Sequence, residues 1–118
     1  MKKKVILNAA IIGGKIQVPA YFTDVAGLVV HKRLYEKIDK SWATRNDEWT
    51  ISLFPSGYVV FNEFPYKKSA IYFANKFLAP YNWCFLTMEE VNNNLKQEDT
   101  NNIVSSFRNY RDLGFPIE

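Results

Sequence analysis

His31 and Cys84 are the only histidine and the only cysteine in the chain, so nucleophilic, acid–base or metal chemistry would have to begin with them. A transition-metal site needs several Cys or His side chains at set spacings, and one of each supplies no such pattern. His31 stands in the strand-like run "VVHKR", where a partly exposed strand histidine is expected. Cys84 lies in "NWCFL" among apolar neighbours, the setting of a buried, inert thiol and not of a nucleophile. A single cysteine allows no intramolecular disulfide, which fits a reducing cytoplasm. Glu89 and Glu90 are adjacent in the first turn of an expected helix; acids favour that end of the dipole, but neighbours point apart. Asp47 and Glu48 read as solvated loop charges, and Gly13-Gly14 as a turn, not a phosphate loop. The expectation is a non-enzymatic protein with no metal and no cofactor.

The chain has 118 residues, 47% of them hydrophobic, which suits one self-sufficient domain spanning 1–118. No apolar run approaches the roughly 20 residues that cross a bilayer. The start "MKKKVILNAAIIGGK" is basic and then apolar, but leads into strand-like sequence with no clear cleavage site. Lys2, Lys3 and Lys4 account for the net charge of +3, so residues 1–4 form a basic tail on a charge-balanced domain. Nine Phe, seven Tyr and three Trp exceed what one small core usually holds, so some aromatics are expected near the surface.

Two apolar runs flank Gly13-Gly14 as a hairpin, with Pro19 implying an edge position or an early end to pairing. "AGLVVHKRL" reads as a third strand with Leu28, Val30 and Lys32 on one face, and "YEKIDKSWATRNDE" as a long connection with a helical turn. In "WTISLFPSGYVVFNEF", a three-residue loop Pro55–Gly57 places Trp49, Ile51, Leu53, Val59 and Phe61 on a core face. Phe54, Tyr58, Val60 and Phe64 then fall on the other face. From Lys67, the residues Ala70, Ile71, Phe73, Ala74, Phe77 and Leu78 follow a helical arc that stops before Pro80. Thr87-x-x-Glu90 is a capping box, and Asp99 or Thr100 should cap a last helix with the stripe Ile103, Val104, Phe107 and Tyr110. The fold class is α+β: an antiparallel sheet of four to five strands followed by two to three C-terminal helices.

Two surfaces can bind. Phe54, Tyr58, Val60 and Phe64, with Trp42 or Trp83 nearby, make an aromatic patch poor in charge, the composition of a protein-binding surface. Lys68, Tyr72 and Lys76 share a helix face that, with Arg45, Arg108 and Arg111, could follow a nucleic-acid backbone. The unit from Trp49 to Leu78 resembles the sheet-plus-helix DNA-binding modules of the AP2 and integrase arm-binding type. The likeness rests on Trp49, the Gly57 hairpin, Phe64, Lys67-Lys68 and the alanines Ala70 and Ala74. Those families read DNA with strand arginines, whereas here no Lys or Arg lies between Trp49 and Phe64 and Glu63 is acidic. In general character, rich in Lys, Asn, Ile, Phe and Tyr and with a strand-rich start, the chain resembles small accessory proteins of phages and mobile elements, including anti-CRISPR inhibitors of host defence. That resemblance implies a cytoplasmic partner, a host protein or ribonucleoprotein effector, held through protein contacts.

Overall fold

Two glycines with left-handed backbones, Gly13 (φ 88°) and Gly57 (φ 84°), stand in the turns that close the first and last hairpins of the sheet. In the computed structural model, which describes residues 4–117, five strands follow one another: β1 (Lys4–Ile11), β2 (Gly14–Phe22), β3 (Leu28–Glu36), β4 (Trp42–Leu53) and β5 (Val59–Phe64). They form one antiparallel meander in sequence order. Helices α1 (Lys67–Phe73), α2 (Met88–Asn94) and α3 (Gln97–Asp112) come after it, with α1 running on into a π-helical turn, Ala74–Leu78. The α+β expectation holds. Lys4 of the expected basic tail begins β1, and residues 1–3 lie outside the described range.

Ile11 pairs with Gly14, so the first turn is Ile12-Gly13, one residue earlier than the two glycines suggest. β2 meets β3 only from Ala20 to Phe22. Pro19, which has no N–H to give a ladder, stands just where that pairing stops. The segment "YEKIDKSWATRNDE" is not a loose connection: β3 and β4 continue through it as a hairpin arm pairing Leu34 with Thr44 and Glu36 with Trp42. Its tip is tied by the Lys37 N–H donating to the Ser41 carbonyl at 2.8 Å, and by Asp39 accepting from the Ser41 N–H and hydroxyl. The arm escapes a periodicity reading because none of its side chains from Arg33 to Glu48 is fully buried.

One face of the sheet carries the helices. Leu28, Val30, Ile51, Leu53 and Phe64 are buried there against Ala70, Phe73, Leu78, Val91, Ile103 and Phe107. Phe107 stacks on Phe61 at 5.0 Å and meets Phe64 edge-on at 5.5 Å. Such pairs add about 0.5–1.5 kcal/mol each beyond their buried area. Trp83 is buried in the irregular stretch after the π-helical turn and donates its indole N–H to the Leu78 carbonyl at 2.7 Å, satisfying a helix-end acceptor. The Thr87–Glu90 capping box forms as expected. α3 starts earlier than expected, with Lys96 as the cap and Asp99 inside the first turn, accepting the Lys96 N–H at 3.1 Å.

The opposite face is covered by the sheet itself. The β1–β2 hairpin curls over so that the Ala10 N–H donates to the Gly57 carbonyl at 3.1 Å, and the Lys15 ammonium donates to the Ser56 carbonyl. A Cβ on Gly57 would lie 2.1 Å from the Asn8 carbonyl oxygen and 2.7 Å from the Ala9 Cα, so only glycine permits this closure. Inside the curl, Leu7, Ala9, Val18, Ala20 and Val29 form a second core, flanked by half-buried Ile16, Phe22, Leu34 and Phe54.

Candidate functional site

The curl is incomplete. Between the end of β1 and the start of β5 a groove of about 470 Å³ remains. Ala9, Ala10, Ile11 and Ile12 form one wall, Gly57, Tyr58 and Val59 the other, and Trp42, Leu34 and Arg33 close one end. Its volume falls in the range of ordinary ligand pockets. Arg33 is the one charged side chain of the lining, and Glu48 holds its guanidinium at 2.8 Å while also pairing with Arg45 at 3.3 Å. Ile12 is 91% exposed, an unusual position for a large aliphatic side chain, and Tyr58 and Val59 are 42% and 41% exposed.

The floor is polar. His31 and Thr50 line it, with Ser52 fully buried beside them. His31 Nδ1 lies 2.8 Å from the Lys32 carbonyl, which can only accept, so this nitrogen carries the proton. Nε2 therefore accepts from the Ser52 hydroxyl at 2.8 Å. Burial pushes the His31 pKa below its ordinary value, and the hydrogen bond to Lys32 opposes the shift in part. A serine hydroxyl on a histidine Nε2 is the geometry of an activated nucleophile. Here it is sealed, because Ser52 is 0% and His31 1% exposed and no reacting carbonyl can approach the oxygen. Thr50 donates to Asn62 Oδ1 at 2.8 Å, so the floor is a set of strand-to-strand polar ties. The expectation of a partly exposed histidine is corrected: the ring is buried, with the Lys32 carbonyl and the Ser52 hydroxyl of the adjacent strand satisfying its two nitrogens. Cys84 is corrected in the opposite sense, for it is exposed in the stretch after the π-helical turn.

The expected aromatic patch is divided by the fold. Tyr58 and Trp42 come together as groove lining. Phe54 turns into the second core, edge-on to Phe22 at 5.0 Å. Phe64 is fully buried beneath the helices, and Val60 packs against the same core, so neither offers a partner surface. Pairing irregularities on either side of Ile51 exchange the roles of Val59 and Val60: Val59 faces the groove although it was expected in the core. Ile12, Val59 and Arg33 complete the groove and were missed by sequence reasoning. An aliphatic residue beside a turn glycine was the available signal.

The expected nucleic-acid face is also altered. Tyr72 stacks on Tyr110 at 5.5 Å, and Lys76 donates to the Tyr72 hydroxyl at 3.1 Å, leaving no open ring for a base. Burial raises the Tyr110 pKa to about 12, while its hydroxyl donates to the Pro116 carbonyl at 2.7 Å. Lys68 and Arg108 are exposed. Arg45 belongs to the hairpin arm and is paired with Asp47 and Glu48, and Arg111 lies 3.6 Å from Asp112. Among the described residues, no three His, Cys, Asp or Glu side chains are grouped to hold a metal ion, and no helix is long and apolar enough to cross a membrane.

Fold and groove define an α+β protein whose curled antiparallel meander is backed by helices and left open along one seam. No protein-family model matches the chain, and neither a curated protein nor a solved structure is significantly similar to it.

Proposed function

We propose that this chain is a small non-enzymatic binding protein that takes an apolar segment of a protein partner into the seam between β1 and β5. The observation that carries this reading is the lining: exposed Ile12, Tyr58 and Val59 beside Trp42, with Arg33 the only charge. Contiguous exposed apolar side chains with aromatic anchors and few charges are the composition of interface centres. Together with the general character of the sequence, this supports a phage or mobile-element inhibitor of the anti-CRISPR kind. Such a protein would act in the cytoplasm on a host defence protein or ribonucleoprotein. The alternative, a nucleic-acid module on the Lys68, Tyr72 and Lys76 face, has less support because the Tyr72 ring is already stacked.

The test is affinity capture from bacterial host lysate with the wild-type chain and with Ile12→Asp combined with Tyr58→Ala. Both positions are exposed, so the variant should keep its circular-dichroism spectrum. Interface anchors typically contribute about 2 kcal/mol or more each. The variant should therefore lose at least about tenfold of the captured partner, and the purified partner's nucleic-acid cleavage should be inhibited by the wild type only. Equal capture by both proteins would remove the groove from the account.

A further inference from the structure

A second cavity lies on the helix side of the sheet, away from the groove, and its chemistry differs. It encloses about 270 Å³ where β2 and β3 stand apart before Ala20. Its position follows from the backbone: Pro19 cannot continue the ladder, and the β3–β4 register shifts between Lys32 and Leu34. Tyr21 and Trp49 form its aromatic wall with ring centroids 6.2 Å apart, and Lys4 and Lys32 border it. Lys67, from the start of α1, places its ammonium 4.0 Å from the centre of the Tyr21 ring. Lys32 is bonded to the neutral Asn46 amide at 3.0 Å. No carboxylate lines the cavity, and among the described residues none of these three lysines makes an ion pair.

We propose that this cavity binds one nucleotide of a single-stranded nucleic acid, the Lys67 ammonium moving off the Tyr21 ring to a phosphate so that the base lies against Tyr21 and Trp49, with the other flanking phosphate contacts on Lys4 and Lys32. Lysines without a carboxylate partner beside half-buried aromatic rings are a combination that grips single strands, the cations tracking the backbone and the rings stacking bases. The cavity is too small for a duplex, whose bases are stacked on one another and unavailable to a side chain. None of its residues belongs to the groove, so this site stands or falls independently of the protein-binding reading. Nor does it use Lys68, Tyr72 or Lys76.

The experiment is fluorescence anisotropy of labelled dT12 and of a twelve-unit abasic oligomer, titrated with the full chain from low to near-physiological salt. Three lysine–phosphate contacts at a slope of about 0.7 each predict that log affinity falls with log salt with a slope near −2. Lys32→Gln with Lys67→Gln should weaken dT12 binding by about tenfold or more, whereas Lys68→Gln with Lys76→Gln should leave it unchanged. Tyr21→Leu keeps apolar packing and removes the ring; it should weaken dT12 at least about fivefold and leave the abasic oligomer unaffected. The lysine variants lie at the surface and keep the proposal testable if Tyr21→Leu destabilises the fold in thermal melts. Three results would each overturn it: no binding at low salt, equal losses from the two lysine pairs, or equal affinity for dT12 and the abasic oligomer.

Discussion

At the scale of single residues, His31 shows how environment decides chemistry. Its ring is neutral because it is buried, and its tautomer is set by the Lys32 carbonyl, which fixes Ser52 as the donor to Nε2. The sign of its pH effect follows. A histidine whose folded pKa is depressed contributes full stability above its unfolded value near 6.5, and that stability is lost as pH falls through the folded value. Urea midpoints of the wild type should therefore drop between about pH 7 and pH 5.5, above the range in which carboxylates titrate. His31→Gln, which retains hydrogen-bonding capacity without titrating, should be less stable at pH 7.5 but flat across that window. A variant that kept the full drop would show that another group causes it. The sequence placed His31 in a strand correctly. Its burial was not legible, because it depends on Ser52 and Thr50 lying on adjacent strand β4 and on the β1–β2 hairpin closing over the face.

At the scale of elements, the curl of the sheet depends on one close backbone approach. Gly57 carries both requirements, a left-handed φ and a position where any Cβ would strike β1. Gly57→Ala should cost about 3 kcal/mol or more, combining the roughly 1–2 kcal/mol left-handed penalty with displacement of Asn8 and Ala9. Denaturant unfolding checks this, and Gly13→Ala provides the comparison, since a Cβ there meets nothing within 4 Å. Similar losses for the two would mean that left-handed strain alone matters. Much of this scale was legible in the sequence: the Gly57 turn, the helix from Lys67 and the Thr87 capping box all follow from local chemistry. What was not legible is non-local. The β3–β4 arm has only half-buried side chains, too few to impose a period. The exchange of Val59 and Val60 comes from a pairing irregularity that alternation alone cannot place.

At the scale of the whole molecule, one meander serves two faces in different ways. The helices seal one face around an aromatic core of Phe61, Phe64, Phe73 and Phe107, and the sheet seals most of the other by curling on itself. The curl stops short, and the seam it leaves carries three of the large apolar side chains that the interior did not absorb, Ile12, Tyr58 and Val59. An expected flat patch of Phe54, Tyr58, Val60 and Phe64 thus becomes a groove that keeps Tyr58 and Trp42 and adds Ile12 and Val59. The most direct measurement of binding at the seam places a photo-crosslinking amino acid at position 58, and separately at exposed position 68, in the chain expressed in a bacterial host. Position 58 should give one dominant protein adduct that is suppressed by Ile12→Asp, and position 68 none of that mass. An adduct from position 68 with none from position 58 would contradict it.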